Sequence, residues 1–539
     1  MTRPPTRRST LAALSGGATL VACRRGWRSP EEDPTARAQV KPLVPGAEAY
    51  ATHEERWFHS ACGQCPAGCG IRVRVVEGRA VRIEGDRENP LNRGGIGARG
   101  LAALQALYDA DRIPGPLHRR DGVLVPVSWD DALAELAGAL LALRASGRPD
   151  RLHVVCGHER GVMHELFARL CRAFGTPSFV DGRDAHTGTL ARVMGETLGT
   201  HEVPIYGWEH ARTVLSLEAG LLEGSCQAVY FTRVAAQRRR GDGVHARLIH
   251  AGPGFDLSAY NADRWVRVVP GTSGALALGL SRAILARHPG ERLREPIIAG
   301  ADAVHALLAD FTPERVERDT GVEPRTLARI AAELDDNRPS FAFVDEASLR
   351  YSNGLDTVRA AMILNAVLGA FWVDAGGVRA APPSPLPPWS DVEPDPIAAA
   401  GLRASPRDAS LAALEADPPE VVLLHHANPA YARAQPERWR AALAGVPLVV
   451  SFSPYRDETV EHVADLVLPD HTFLERWEVA TPAPALDRAI LTTRVPVIAP
   501  LHDTRSTGDV VLDLARRLGG AIATAAPWRT LREATEVRL

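Results

Sequence analysis

Lysine is almost absent from this sequence, and arginine takes its place. The 62 basic residues nearly cancel the 65 acidic ones, leaving a formal net charge of -3. No basic stripe interleaved with aromatics occurs, so the footprint of a nucleic-acid-binding protein is missing. No apolar run approaches the roughly eighteen residues that a membrane-spanning helix needs. Membrane contact must then come through a lipid or a partner. Cysteine is scarce as well. The seven are Cys23, Cys62, Cys65, Cys69, Cys156, Cys171 and Cys226. A disulfide scaffold would use more of them and space them more evenly. Cys156, Cys171 and Cys226 read as buried small apolar residues. No internal repeat is present.

What is there begins with an address. "TRRSTLAALSGGATLVAC" places Arg7 and Arg8 before an apolar run from Leu11 to Ala22. The run is too short for an anchor helix and reads as a signal region over 1–23, with the twin arginines of the Tat export route. "LVAC" resembles a lipobox, which makes Cys23 a candidate lipidation site. The expected location is periplasmic, or the outer face of the cytoplasmic membrane. Residues 24–50 read as a linker rich in Pro, Arg and Glu.

Cys62, Cys65 and Cys69 fall within "HSACGQCPAGCGIRV", spaced C-x2-C-x3-C. Zinc wants paired knuckles from two segments. A redox dithiol would not need Cys69. An iron–sulfur cluster takes several thiolates from one loop, and Gly68 and Gly70 let a backbone wrap it. An empty relic site is the remaining alternative. "IRVRVVEGRAVRIEGD" alternates apolar and polar residues about Gly78 and predicts a β-hairpin. "VSWDDALAELAGALLALRA" predicts a helix capped by Ser128. Beyond it, "LHVVCG", "TVLSLEAG", "ARLIHAG", "SFAFVDEA", "VVLLHHANP" and "PLVVSFSP" are short apolar runs separated by helical patterns. This alternation predicts α/β domains with mainly parallel sheets, binding ligands at the strands' carboxyl ends. "RAAPPSPLPPWSDVEPDP" reads as a surface loop.

"CGQCPAGCGIRVRVVEGRAVRIEGDRENPLNRGGIGARGLAALQALYDADRIPGPLHR" resembles the iron–sulfur domain of the molybdopterin oxidoreductase (dimethyl sulfoxide reductase) family. "YNADRWVRVVPGTSGALALGL", "NGLDTVRAAMILNAVLGAFWVDAGGV", "LLHHANPAYA" and "ADLVLPDHTFLERWE" resemble later family segments in the same order. In style the chain is most similar to polysulfide reductase-like and alternative complex III subunits. The resemblance implies an iron–sulfur domain over 51–115 and one α/β domain over 116–182 and 336–525. A second α/β domain over 183–335 interleaves with it, and 526–539 form a tail. It also implies a 4Fe-4S or 3Fe-4S cluster and molybdenum or tungsten on two pterin guanine dinucleotides. The family's C-terminal barrel is not expected here.

The resemblance assigns residues and also exposes departures. Cys62, Cys65 and Cys69 would be cluster ligands. Gly97 stands at the family's fourth cysteine, and His59 is the nearest candidate replacement. Arg99 holds the family's cationic position between cluster and pterin. Gly271, Thr272 and Ser273 would contact one dinucleotide, with Ser273 where an acidic residue would hold guanine. Asn428 and Pro429 match the other contact turn. His186 and Asp184 fall near the metal-ligand loop as weak catalytic candidates. The implied function is an exported molybdopterin-dependent oxidoreductase subunit taking part in respiratory electron transfer, or a non-catalytic, molybdenum-free structural subunit of a quinol-linked respiratory complex. The implied partners are a ferredoxin-like iron–sulfur subunit and a quinol-handling membrane subunit.

Overall fold

The computed structural model describes residues 54–157, 161–182, 184–240, 246–289, 301–371, 373, 375–406 and 410–539, without the side chains of 184–187, 238 and 240. The expected signal, linker and Cys23 lie outside the described residues. Among the described residues, no helix is long and apolar enough to cross a membrane.

The first unit of the fold is a three-stranded sheet of Glu55–Ala61, Gly70–Val76 and Arg79–Gly85, in that order. The predicted hairpin is there. Gly70–Val76 pairs antiparallel with Arg79–Gly85, turning at Glu77 and Gly78, both with positive φ. The alternating pattern works as expected: Ile71, Val73 and Val75 point into the core with Leu107, Phe473 and Val497. After Gly97 come two short helices, Ala98–Leu101 and Ala103–Leu107.

Two larger sheets follow. The seven-stranded sheet has the order Val123–Pro126, Leu117–Arg120, Leu466–Val467, Leu448–Ser451, Val421–His425, Leu152–Cys156, Phe179–Asp181. Its last five strands run parallel. The helix Trp129–Ala145 covers it, with the Ser128 hydroxyl accepting from the Asp131 amide as the sequence predicts. Leu136 and Leu140 of that helix pack with Phe167, Val154, Leu423 and Val450 in one apolar core. The four-stranded sheet is wholly parallel, in the order Arg264–Arg267, Arg247–Gly252, Thr213–Leu217, Ser340–Phe343. The helices Ser273–Arg287 and Gly354–Val367 share its core through Leu276, Leu280, Val358 and Leu364.

Two expected boundaries move. Ser340–Phe343 pairs with Thr213–Leu217, and the Asn365 side chain bonds both the amide and the carbonyl of Ala342. The second α/β domain therefore continues past 335 through at least Val367. An apolar strand reads the same whichever sheet receives it, so the sequence pattern could not assign this one. Residues 526–539 are no loose tail. The helix Leu531–Glu536 buries Leu531 and Ala534, and Trp528 stacks on Trp389 from the proline-rich loop.

Candidate functional site

The cysteine loop closes on itself through the Cys62 amide, which donates to the Cys69 carbonyl over 2.8 Å. Gly68 turns the loop with φ +56°, and a Cβ there would press on Pro482 at 3.1 Å. Asn92 is buried and bridges the loop to its neighbour. Its side chain accepts from the Gly70 amide and donates to the carbonyls of Gly70 and Gly95. Gly97 is thereby brought to the cysteines, and its amide donates to the Cys69 sulfur. Burial, reinforced by the neighbouring sulfurs, pushes the Cys69 thiol up to about 12 and the Cys62 thiol to about 11.

Among the described residues, Cys62, Cys65 and Cys69 do not form a set with all ligand atoms within 4.8 Å of one another. A single zinc ion would need that closeness; a polynuclear cluster does not. Three thiolates around the Gly97 position therefore fit an iron–sulfur cluster with three protein ligands. His59 supplies no fourth, because its ring is exposed and bonded to Asp86 at 2.8 Å. Arg99 is exposed. The buried guanidinium beside the cysteines is Arg494, which donates to the Cys62 carbonyl and to Glu478.

A cavity of about 220 Å³ adjoins this loop, lined by Cys65, Gly68, His426, Tyr455, Arg476 and Arg494 among others. His426 also lines a second cavity of about 560 Å³, at the carboxyl ends of Leu152–Cys156 and Val421–His425. The chain runs outward in opposite directions from these two strands, so the crevice between them is the topological switch point where open α/β sheets bind ligands. Its volume suits a nucleotide-sized ligand. Asn428 and Pro429 line it. The Asn428 amide donates to Glu458 and accepts from Thr459, which fixes the turn.

Between the two cavities lies a buried charged network. Asp470 accepts from Arg476, from the Thr507 amide and from the His426 ring. Arg476 and Arg494 both donate to Glu478. Burial would raise the Asp470 carboxyl, but Arg476 and then His426 outweigh it and hold it well below the ordinary carboxylate range. Positive and negative charges alternate here, so the wall carries no large net charge.

The four-stranded sheet has a different crevice. Glu218, at the carboxyl end of Thr213–Leu217, is buried and holds φ +49°. Such a left-handed backbone is uncommon for a residue with a Cβ. Its carboxylate accepts from the Gly271 amide at 2.9 Å, the Ser273 hydroxyl at 2.6 Å and the Tyr351 hydroxyl. Ser273 begins the helix Ser273–Arg287 and is itself fully buried. Thr272 donates to the Val269 carbonyl, and Asn353 donates to the Gly271 carbonyl. Asp345 nearby accepts from the Gly220 and Ala347 amides, and burial raises its carboxyl to about 7. Glu223 accepts from Ser258, and burial raises it too.

Residues 55–109 match the molybdopterin oxidoreductase Fe4S4 domain, and residues 112–517 match the molybdopterin oxidoreductase domain. The chain belongs to the molybdopterin oxidoreductase family. It is 33% identical over 462 residues to a menaquinone reductase, molybdopterin-binding-like subunit of Nitratidesulfovibrio vulgaris, covering 84% of this chain and 64% of that protein. It is 24% identical over 551 residues to the arsenate respiratory reductase molybdopterin-containing subunit of a Shewanella species, covering 88% of this chain and 62% of that one. Among solved structures it resembles acetylene hydratase from Pelobacter acetylenicus, with a TM-score of 0.76 at 20% identity, over 89% of this chain and 71% of that one. The chain thus spans under two thirds of the length of these curated relatives. The matched domains support an iron–sulfur cluster and a molybdopterin cofactor.

The residues present fit these groups unevenly. The cysteine loop fits the cluster, and the switch-point crevice has the place and size for a dinucleotide. At the crevice of the four-stranded sheet, the Glu218 carboxylate itself takes the Gly271 amide and the Ser273 hydroxyl. A like charge 4 Å away costs about 4 kcal/mol near a protein surface. Asp184 and His186 stand in the first turn of the helix Asp184–Leu198, but their side chains lie outside what is described.

Several functional residues escaped the sequence reading. Glu218, Tyr351, Asn92, Asp470, Arg476, Glu478 and Arg494 matter through contacts across long sequence separations. For Asp470, Arg476 and Glu478 a signal existed: four charges crowd the apolar segment "LPDHTFLERWE". Charges in such a run need buried partners.

Proposed function

We propose that this chain is an electron-transferring subunit of a quinol-linked respiratory complex. The reading is supported most by the three-cysteine loop opening on a cavity that shares His426 with the switch-point crevice. When bound, the cluster supplies one-electron chemistry and the molybdopterin two-electron chemistry. The chain's own residues orient and insulate. Asn92 and Gly68 shape the loop, Arg494 places a cation beside it, and Phe473 and Leu474 exclude water from one side. The relative named a menaquinone reductase subunit supports a quinol as the ultimate electron donor or acceptor. In this reading the protein is exported by the Tat route to the outer face of the cytoplasmic membrane. It works beside a ferredoxin-like iron–sulfur subunit and a quinol-handling membrane subunit. A lipid on Cys23 or the partner itself holds it there.

The filled crevice at Glu218 favours a second reading, a molybdenum-free structural subunit in the same complex. Metal analysis and electron paramagnetic resonance of the purified protein separate the two. About three irons per chain with a signal from the oxidised three-iron cluster support electron transfer. A protein without iron sinks that reading, and molybdenum near one per chain sinks the structural one. Gly97→Cys adds the missing thiolate; the nearest neighbour of its Cβ would be Val229 at 3.6 Å, an ordinary contact. It is expected to raise the iron content from about three to about four and to silence the oxidised signal.

A further inference from the structure

We propose that the crevice of the four-stranded sheet carries its own anion: Glu218 occupies, with its carboxylate, the amide-lined helix start where a dinucleotide's diphosphate or guanine would seat, so this crevice takes no dinucleotide. The inference goes beyond the electron-transfer reading and does not depend on it.

The carboxyl ends of parallel strands and the first turn of the following helix offer unpaired amides, which bind phosphate oxygens. Here several amides at the strand ends and just before the helix Ser273–Arg287 already donate to the chain's own side chains. Gly271 donates to Glu218, Gly220 to Asp345, Leu222 to Ser258 and Ala259 to Asp256. The Ser273 hydroxyl, the group placed to meet guanine, points into the core and donates to the same Glu218 carboxylate. Both Glu218 oxygens are engaged, so the carboxylate has no bidentate face left for a guanine edge. The Tyr351 ring closes the space above Gly271: even a Cβ there would meet it at 3.1 Å. Hydrogen-bond partners of Glu218, Glu223 and Asp345 among the described residues are amides and hydroxyls, not guanidinium groups. A phosphate entering would meet these carboxylates as like charges. The switch-point crevice differs in its charge balance, since its carboxylate Asp470 is matched by Arg476 and His426.

Two measurements on the purified full chain test this. Acid release and mass spectrometry count guanine per chain. One or none is expected, and two would overturn the proposal, since both crevices would then be filled. GDP then serves as a probe of the guanosine-diphosphate end, read by hydrogen exchange of residues 269–276. Wild type is expected to show no slowing with GDP. Glu218→Gly, compatible with the left-handed backbone at this position, is expected to exchange about tenfold faster, the loss of one charged hydrogen bond, and to be slowed again by GDP. Should that variant fail to fold, Glu218→Gln keeps the shape and removes the charge, and is expected to bind GDP at least tenfold tighter than wild type. Protection of the wild-type segment by GDP, or no response of either variant to GDP, overturns the assignment. Loss of the cluster signal would instead sink the electron-transfer reading and leave this one standing.

Discussion

The two parallel sheets end in crevices of the same topological kind and opposite character. At the seven-stranded sheet, Asp470 and Glu478 are threaded by Arg476 and Arg494, and cavities remain on both sides of His426. At the four-stranded sheet, Glu218 and Asp345 turn inward and consume the amides around them. The same strand–helix geometry can therefore present a ligand site or cancel one. The difference lies in whether each buried carboxylate is also met by a guanidinium or only by amides and hydroxyls.

The comparison breaks most visibly at Asp470. Asp470→Asn leaves the buried Arg476 short of a counter-charge, and unfolding in urea is expected to show a loss of about 3 kcal/mol. A loss below 1 kcal/mol, roughly the surface-pair range, would mean the network does not organise this crevice. The next largest effect sits in the other crevice. Folding raises the Asp345 carboxyl from 3.8 to about 7. The folded protein thus keeps a proton that the unfolded chain releases. Stability conferred this way is full below about pH 4, declines as pH rises to about 7, and stays low above it. Asp345→Asn keeps an acceptor for the Gly220 and Ala347 amides and has no proton to lose. Relative to wild type it should gain on the order of 2 kcal/mol between pH 4 and pH 8. A parallel pH profile for the two proteins would refute the assignment.

Smaller effects sharpen the picture. Asn428→Ala removes two side-chain hydrogen bonds that fix the turn lining the switch-point crevice, and should lower stability by about 1 to 2 kcal/mol in thermal melts. His59→Ala removes only a surface pair with Asp86. Its iron content and cluster spectrum should match wild type; a lost or shifted signal would make His59 a ligand after all.

Much of the fold was legible beforehand because it follows from local pattern. The hairpin about Gly78, the Ser128 cap and six strands of the parallel sheets come from alternation, capping and short apolar runs, which the chain carries wherever it goes. Cys62, Cys65 and Cys69 were legible for the same reason, being close in sequence, and Gly97 showed the gap by its identity alone. Assigning Ser340–Phe343 to a sheet was not possible, because pairing is decided by the partner strand and by Asn365 on a later helix. By resemblance Ser273 stands where an acidic residue would hold guanine. Its true neighbour is Glu218, 55 residues earlier, and only folding brings the carboxylate to that helix start.

By itself, then, the sequence determined the family, the cluster loop with its three thiolates and the succession of strands and helices, since each rests on residues near one another in the chain. Tertiary structure alone decided that Arg494 lies buried beside the cysteines and which crevice is left open. Those outcomes depend on how buried charges find partners, and a buried charge is stabilised by whatever the fold places within a few ångströms of it, at any distance along the chain.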